Sequence, residues 1–152
     1  MDNSVGRLVS ILYRKNQVYL NEALKELGLT ASELPIIIYV LKHEGVSQEE
    51  MAQFLSIDKA AIARAVDTLL EKGLVQKEKD ELDRRANKIT VTEVGKKIEF
   101  ELNQRLLYWT QYLTNDIEEK DVDTMYRVLN IMVDKLEHKD CREIWRIHTC
   151  QE

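Results

Sequence analysis

The sequence predicts a mainly α-helical fold carrying one small β-hairpin. Three observations support this. Glycine (five) and proline (one) are sparse in 152 residues, which leaves few tight turns or barrel corners. Apolar residues recur at three- and four-residue steps over most of the chain, as on amphipathic helices. Between residues 74 and 92 the period drops to two and β-branched residues gather, as in strands.

Taken in order, residues 5–27 place Val5, Leu8, Leu12, Leu20, Leu24 and Leu27 mostly on one face of a helix. Gly28 can stop that helix because glycine enters the left-handed backbone without strain. A second helix follows in ASELPIIIYVLKHE. Ser32 is the preferred cap, because it leaves Pro35 in the tolerated first turn; a Thr30–Glu33 capping box pushes Pro35 past it. Ile36, Ile37, Ile38, Val40 and Leu41 are apolar nearly all round, so this helix is expected to be buried, with Gly45 ending it.

Ser47 and Glu50 form the S-x-x-E box that opens a short helix with Met51, Phe54 and Leu55 on its inner face. After the break at Ser56, Ile57 and Asp58, Asp58 caps KAAIARAVDTLLEKG, whose inner face is Ile62, Val66, Leu69 and Leu70. Gly73 terminates it. Two helices across a three-residue turn make a helix-turn-helix. LVQKEKD and ANKITVT then alternate as two strands, and the turn between them holds Asp80, Glu81, Asp83, Arg84 and Arg85. A helix-turn-helix followed by such a hairpin is a winged helix.

Thr92 caps a long helix with expected core positions Val94, Ile98, Leu102, Leu106, Trp109 and Leu113. A polar break at residues 114–116 separates it from a last helix carrying Val122, Met125, Tyr126, Leu129, Met132, Val133 and Leu136. The terminal helices hold more apolar surface than one winged helix can cover, and such leftover faces usually meet a partner. The expected organisation is dimerisation helices at 1–28 and 114–152, a winged helix-turn-helix at 29–97, and a connecting helix at 98–113.

No apolar run approaches the ~18 residues of a membrane span. The N-terminus lacks a secretory pattern, so a cytoplasmic location is expected, with the two cysteines reduced. The net charge is −5, but its distribution matters more. Residues 47–97 carry ten basic and ten acidic side chains, whereas residues 98–152 carry seven and twelve. The acid excess thus lies away from the arginine pair. No Gly-rich phosphate loop, H-E-x-x-H or G-x-S-x-G occurs, so neither an enzyme nor a cofactor is expected.

The stretch IARAVDTLLEKGLVQKEKDELDRRANKITVTEVGKK, residues 62–97, resembles the MarR family of transcriptional regulators. The shared pattern is a recognition helix ending Leu-Glu-x-x-Gly-Leu, a D-x-R wing, and Leu-Thr-x-x-Gly, with Val91 here in place of the common Leu. The resemblance implies a homodimer joined through the first helix and the last two. It implies a sequence-specific, DNA-binding regulator, expected to be a repressor, on a pseudo-palindromic operator of double-stranded DNA. It also implies a small-molecule effector, aromatic or otherwise, bound between the winged-helix lobe and the dimer helices. Tyr13, Tyr39, Tyr108 and Trp109 are candidates for lining that pocket; packing in the core is their other use. Arg85 matches the family's wing arginine and Asp83 its orienting partner.

A winged helix sets the N-terminal half of its recognition helix in the major groove. Here the outward face is Lys59, Ala60, Ala63, Arg64 and Asp67. Arg64 can fork onto guanine O6 and N7 or onto a phosphate, with Asp67 three residues on to orient it; Lys59 suits phosphate. Ala60, Ala61 and Ala63 stand where the family often has Ser or Thr, and alanine meets thymine methyls. The hairpin tip is narrow enough for the minor groove, whose negative potential attracts arginine. Arg84, Lys77, Lys79 and Lys88 are candidates for flanking phosphates. Ser47 and Gln48 open a helix whose amides suit a phosphate, or else serve as a plain cap.

The last 15 residues contain His138, Cys141, His148 and Cys150 in the pattern H-x2-C-x6-H-x-C. Imidazoles and thiolates can hold zinc or sense oxidants, so a metal- or redox-responsive tail is one alternative. Another is a winged helix serving only as a protein-interaction module. Trp145, with Ile144 and Ile147, otherwise docks a short final helix.

Overall fold

In a computed structural model the described residues are 4–79, 87–136 and, near the C-terminus, 139, 141, 143, 144 and 146. The chain forms two compact units, Met1–Leu107 and Tyr108–Glu152. Among the described residues the helices are α1 (Val5–Ala23), α2 (Leu34–Lys42), α3 (Gln48–Leu55), α4 (Lys59–Glu71), α5 (Glu93–Lys97), α6 (Glu99–Thr114) and α7 (Glu119–Leu136). Strands β1 (Val75–Lys79) and β2 (Asn87–Val91) lie between α4 and α5 and pair antiparallel, with Lys77 opposite Ile89. The expected class, mainly helical with a winged helix-turn-helix, is the one observed.

The core of the first unit is built from α2, α3, α4 and the hairpin, joined by Leu20 of α1 and Leu102 of α6. Ile36, Ile37, Met51, Ile62, Val66, Leu69, Ile89 and Leu102 are all fully or almost fully buried. Two helix starts follow their sequence signals. Ser47 Oγ accepts from the Glu50 N–H (3.1 Å) while Glu50 Oε2 accepts from the Ser47 N–H (2.7 Å). Asp58 Oδ1 accepts from the N–H groups of Ala60 (2.9 Å) and Ala61 (3.2 Å).

Four details differ from expectation. The first helix ends at Ala23; a 3₁₀ turn over Lys25–Leu27 carries the chain to Gly28, which has φ +66°. The second helix is capped at Glu33, not Ser32. The Glu33 carboxylate, almost wholly buried, accepts from the Thr30 N–H (2.9 Å) and receives Lys72 Nζ at 2.7 Å on both oxygens. That buried pairing outweighs a serine cap, since a buried carboxylate left alone is costly. Phe54 points outward from α3, leaving Met51 and Ala52 as its buried side chains. The long helix expected from Thr92 breaks at Ile98 into α5 and α6, and Val94 is exposed.

The start of α5 is held by contacts with the end of α4. Thr92 Oγ1 donates to the Gly73 carbonyl (2.7 Å) and accepts from the Gly95 N–H (3.0 Å), so α5 is folded onto the end of α4. A side chain on Gly95 would overlap the Leu74 carbonyl oxygen and come within 2.7 Å of Val91 Cγ2. A bridge from Val46 to Ile89, with N–H to carbonyl distances of 3.1 and 2.7 Å, adds a short third partner to the hairpin.

In ordinary helices Gly→Ala stabilises by about 1 kcal/mol. The close approach at Gly95 reverses that sign. Gly95→Ala is expected to destabilise by about 1–3 kcal/mol, as overpacking does. Urea unfolding followed by circular dichroism measures it, and equal or greater stability would remove the close-approach argument.

Candidate nucleic-acid interface

The interface begins with what α4 buries. Ile62, Val66 and Leu69 face inward with no exposed surface, so the helix has one rotation about its axis. That rotation leaves Lys59, Ala60, Arg64 and Asp67 exposed and Ala63 half-buried. Ser56, with φ +53°, and the Asp58 cap turn the chain sharply between α3 and α4. The N-terminal half of α4 is thereby presented to solvent.

Lys59 is not isolated. Its Nζ lies 2.6 Å from Glu49 Oε1 on α3, and that ammonium holds the Glu49 carboxyl below its ordinary pKa. Asp67 does not orient Arg64 as its spacing suggested. Its Oδ1 lies 3.8 Å from Lys77 Nζ on β1, and among the described residues no ion pair joins it to Arg64. Ser47 spends its hydroxyl on the cap, Gln48 is half-buried beside it, and Lys88 is half-buried on β2 opposite Glu78. Asp83, Arg84 and Arg85 lie outside the described residues.

A groove of about 540 Å³ runs beside this face. Tyr13, Pro35, Ile36, Ala61, Arg64 and Thr68 are among its lining residues. Its volume falls within the roughly 300–1,000 Å³ of small-molecule sites. Tyr39 does not share it with Tyr13. Its ring stacks on His43 at 4.2 Å and meets Phe54 at 4.8 Å. Tyr108 and Trp109 belong to the second unit, where Trp109 stacks on Tyr112 at 6.0 Å. Among the described residues, no group of three side chains is placed to hold a metal, and no helix is long and apolar enough to cross a membrane. Cys141 is exposed with a free thiol; His138, His148 and Cys150 lie outside the described residues.

The sequence model of the MarR family matches residues 27–86, from the last residue of the 3₁₀ turn onward. A Bacillus subtilis HTH-type transcriptional regulator, YdgG, is 30% identical over 110 residues, covering 70% of this chain and 72% of its own. The chain belongs to the MarR family. A MarR transcriptional regulator from Methanosarcina mazei Go1 superposes with a TM-score of 0.82 at 29% identity, over 86% of this chain and 94% of that one. CouR from Rhodococcus jostii RHA1, solved bound to p-coumaroyl-CoA, gives a TM-score of 0.77 at 26% identity, over 86% and 92%. The protein is thus a DNA-binding transcriptional regulator of the MarR family, with a winged helix-turn-helix.

Sequence reasoning missed two fasteners in the first unit. One is the Glu33–Lys72 pair, which joins the start of α2 to the end of α4. Glu33 stood in a proposed cap, but its partner lies 39 residues away. The other is Arg105, whose guanidinium donates to the Ala23 carbonyl and pairs with Glu26 (2.8 Å) and Glu101 (3.0 Å). The Glu101 spacing of four was legible; the long-range contacts had no local signal.

Glu49 already holds Lys59, the lysine the sequence nominates for a phosphate. Glu49→Gln is expected to raise affinity for duplex DNA by about two- to fivefold, in line with the small worth of exposed pairs. Fluorescence anisotropy with a labelled duplex reads this directly; weaker binding would show that the pair holds Lys59 in its working position.

Proposed function

We propose that this MarR-family protein is a sequence-specific, homodimeric repressor acting in the cytoplasm, released from its operator by a small-molecule effector. The outward face of α4 supports this reading most strongly. Burial of Ile62, Val66 and Leu69 leaves Lys59, Ala60 and Arg64 on the opposite side, at the helix end that enters a major groove. In this reading Lys59 meets phosphate, Arg64 forks onto a base edge or phosphate, and Ala60 and Ala63 meet thymine methyls. Arg85, oriented by Asp83, enters the minor groove, with Arg84 and Lys88 on flanking phosphates. Ser47 and Gln48 add a backbone contact.

Uncovered apolar side chains support the dimer. Val5, Leu8, Val9 and Leu12 on α1 each keep half or more of their surface exposed, and α7 has no buried residue. A second copy covers such faces through an isologous contact. Two copies then present two recognition helices to half-sites about 34–36 Å apart. The groove beside α4 supports the effector, and a related protein, CouR, holds an aromatic CoA thioester. An effector acts here by favouring a half-site spacing that DNA cannot accept, and it shifts the equilibrium by no more than its differential affinity.

Selection of bound duplexes from a random pool is expected to return a palindrome. On that duplex, log affinity against log salt falls steeply, by about 0.9 per phosphate neutralised. Arg85→Ala is expected to weaken binding by roughly five- to hundredfold. A flat salt plot, with no sequence enriched, would overturn the reading.

A further inference from the structure

The Val46–Ile89 bridge brings together two regions that the sequence nominates separately, the start of α3 and the wing. Val46 bonds to the middle of β2 through both backbone groups, and Ser47 and Gln48 follow at once. Gln48, Lys77 and Asn87 therefore converge over the buried Ile89, around a concavity of about 200 Å³. That is below the roughly 300 Å³ at which small-molecule sites begin, but it has room for one tetrahedral anion. Two side-chain amides and one ammonium supply hydrogen-bond donors, the chemistry that binds phosphate oxygens.

The geometry points to a seat for one DNA backbone phosphate, formed jointly by Gln48, Lys77 and Asn87 and attenuated by Asp67. This rests on the DNA-binding reading above and adds two residues, Asn87 and Asp67, in opposite roles. The seat adjoins the α4 face, because Lys77 Nζ lies 3.8 Å from Asp67 Oδ1 and Asp67 is one helical turn from Arg64. Asp67 draws Lys77 toward α4 and lowers the positive potential of the seat before DNA arrives. The phosphate must then compete with a carboxylate, which weakens binding to every duplex alike.

The salt dependence of duplex binding, measured with the full chain, tests this. Lys77→Gln is expected to reduce the magnitude of the log–log slope by about one per protomer, the signature of one lost phosphate. Asn87→Ala weakens binding about evenly across sequences and leaves the slope unchanged, because no charge is lost. Asp67→Asn tightens binding, a direction that impaired folding cannot mimic. If the unmodified chain shows a steep slope and Lys77→Gln leaves it unaltered, the seat is refuted while the DNA-binding reading stands. If the unmodified chain ignores duplex DNA, both fail. Free phosphate shares the chemistry of the seat. Inorganic phosphate, raised at constant ionic strength, is therefore expected to compete with duplex in the unmodified chain and not in Lys77→Gln, and competition of equal strength in both would overturn the seat.

Discussion

The exposed face of α4 is oriented by one constraint, the burial of a three-residue stripe on the opposite side of the helix. Ile62, Val66 and Leu69 are each removed from water against α2, α3 and β1. Each contributes about 1.5–3 kcal/mol relative to exposure. An exposed ion pair such as Lys59–Glu49 is worth far less and cannot turn the helix about its axis. The stripe therefore decides which residues look outward, and the polar contacts adjust them afterwards.

The wing inherits its position from the same helix. Gly73, at φ +68°, reverses the chain after α4, and Leu74 leads directly into β1. Thr92 and Gly95 then return β2 and α5 to the carbonyls of Gly73 and Leu74. Lys72, the C-cap of α4 before that reversal, is tied to the buried Glu33. Hairpin root, recognition helix and α2 are consequently fastened at one corner. Glu33 also lines the groove beside Arg64, so whatever occupies the groove touches a residue that anchors the recognition helix.

Local signals were the legible ones. The Ser47–Glu50 box, the Asp58 cap, the αL glycine at 73 and the two strands each depend on residues within a few positions, and each appears where the spacing places it. The spacing of α4 likewise separated its buried stripe from Lys59, Ala60 and Arg64. What the sequence did not show was long-range. Periodicity assigned Phe54 inward, yet its ring lies against Tyr39 and His43 on the outside. Periodicity also ran α5 and α6 together, and no local signal marks the break at Ile98. Asp67 lay within reach of Arg64 along the helix, but a lysine from β1 occupies it instead.

In the proposed function the N-terminal half of α4 lies against DNA. Affinity cleavage tests it most directly, using the full chain with Ala60→Cys bearing an iron chelate and with Cys141→Ser and Cys150→Ser to leave one thiol. Strand scission is expected at two loci about 34–36 Å apart on the selected duplex, one in each half-site. A duplex that stays bound yet is not cut near either half-site would contradict the claim.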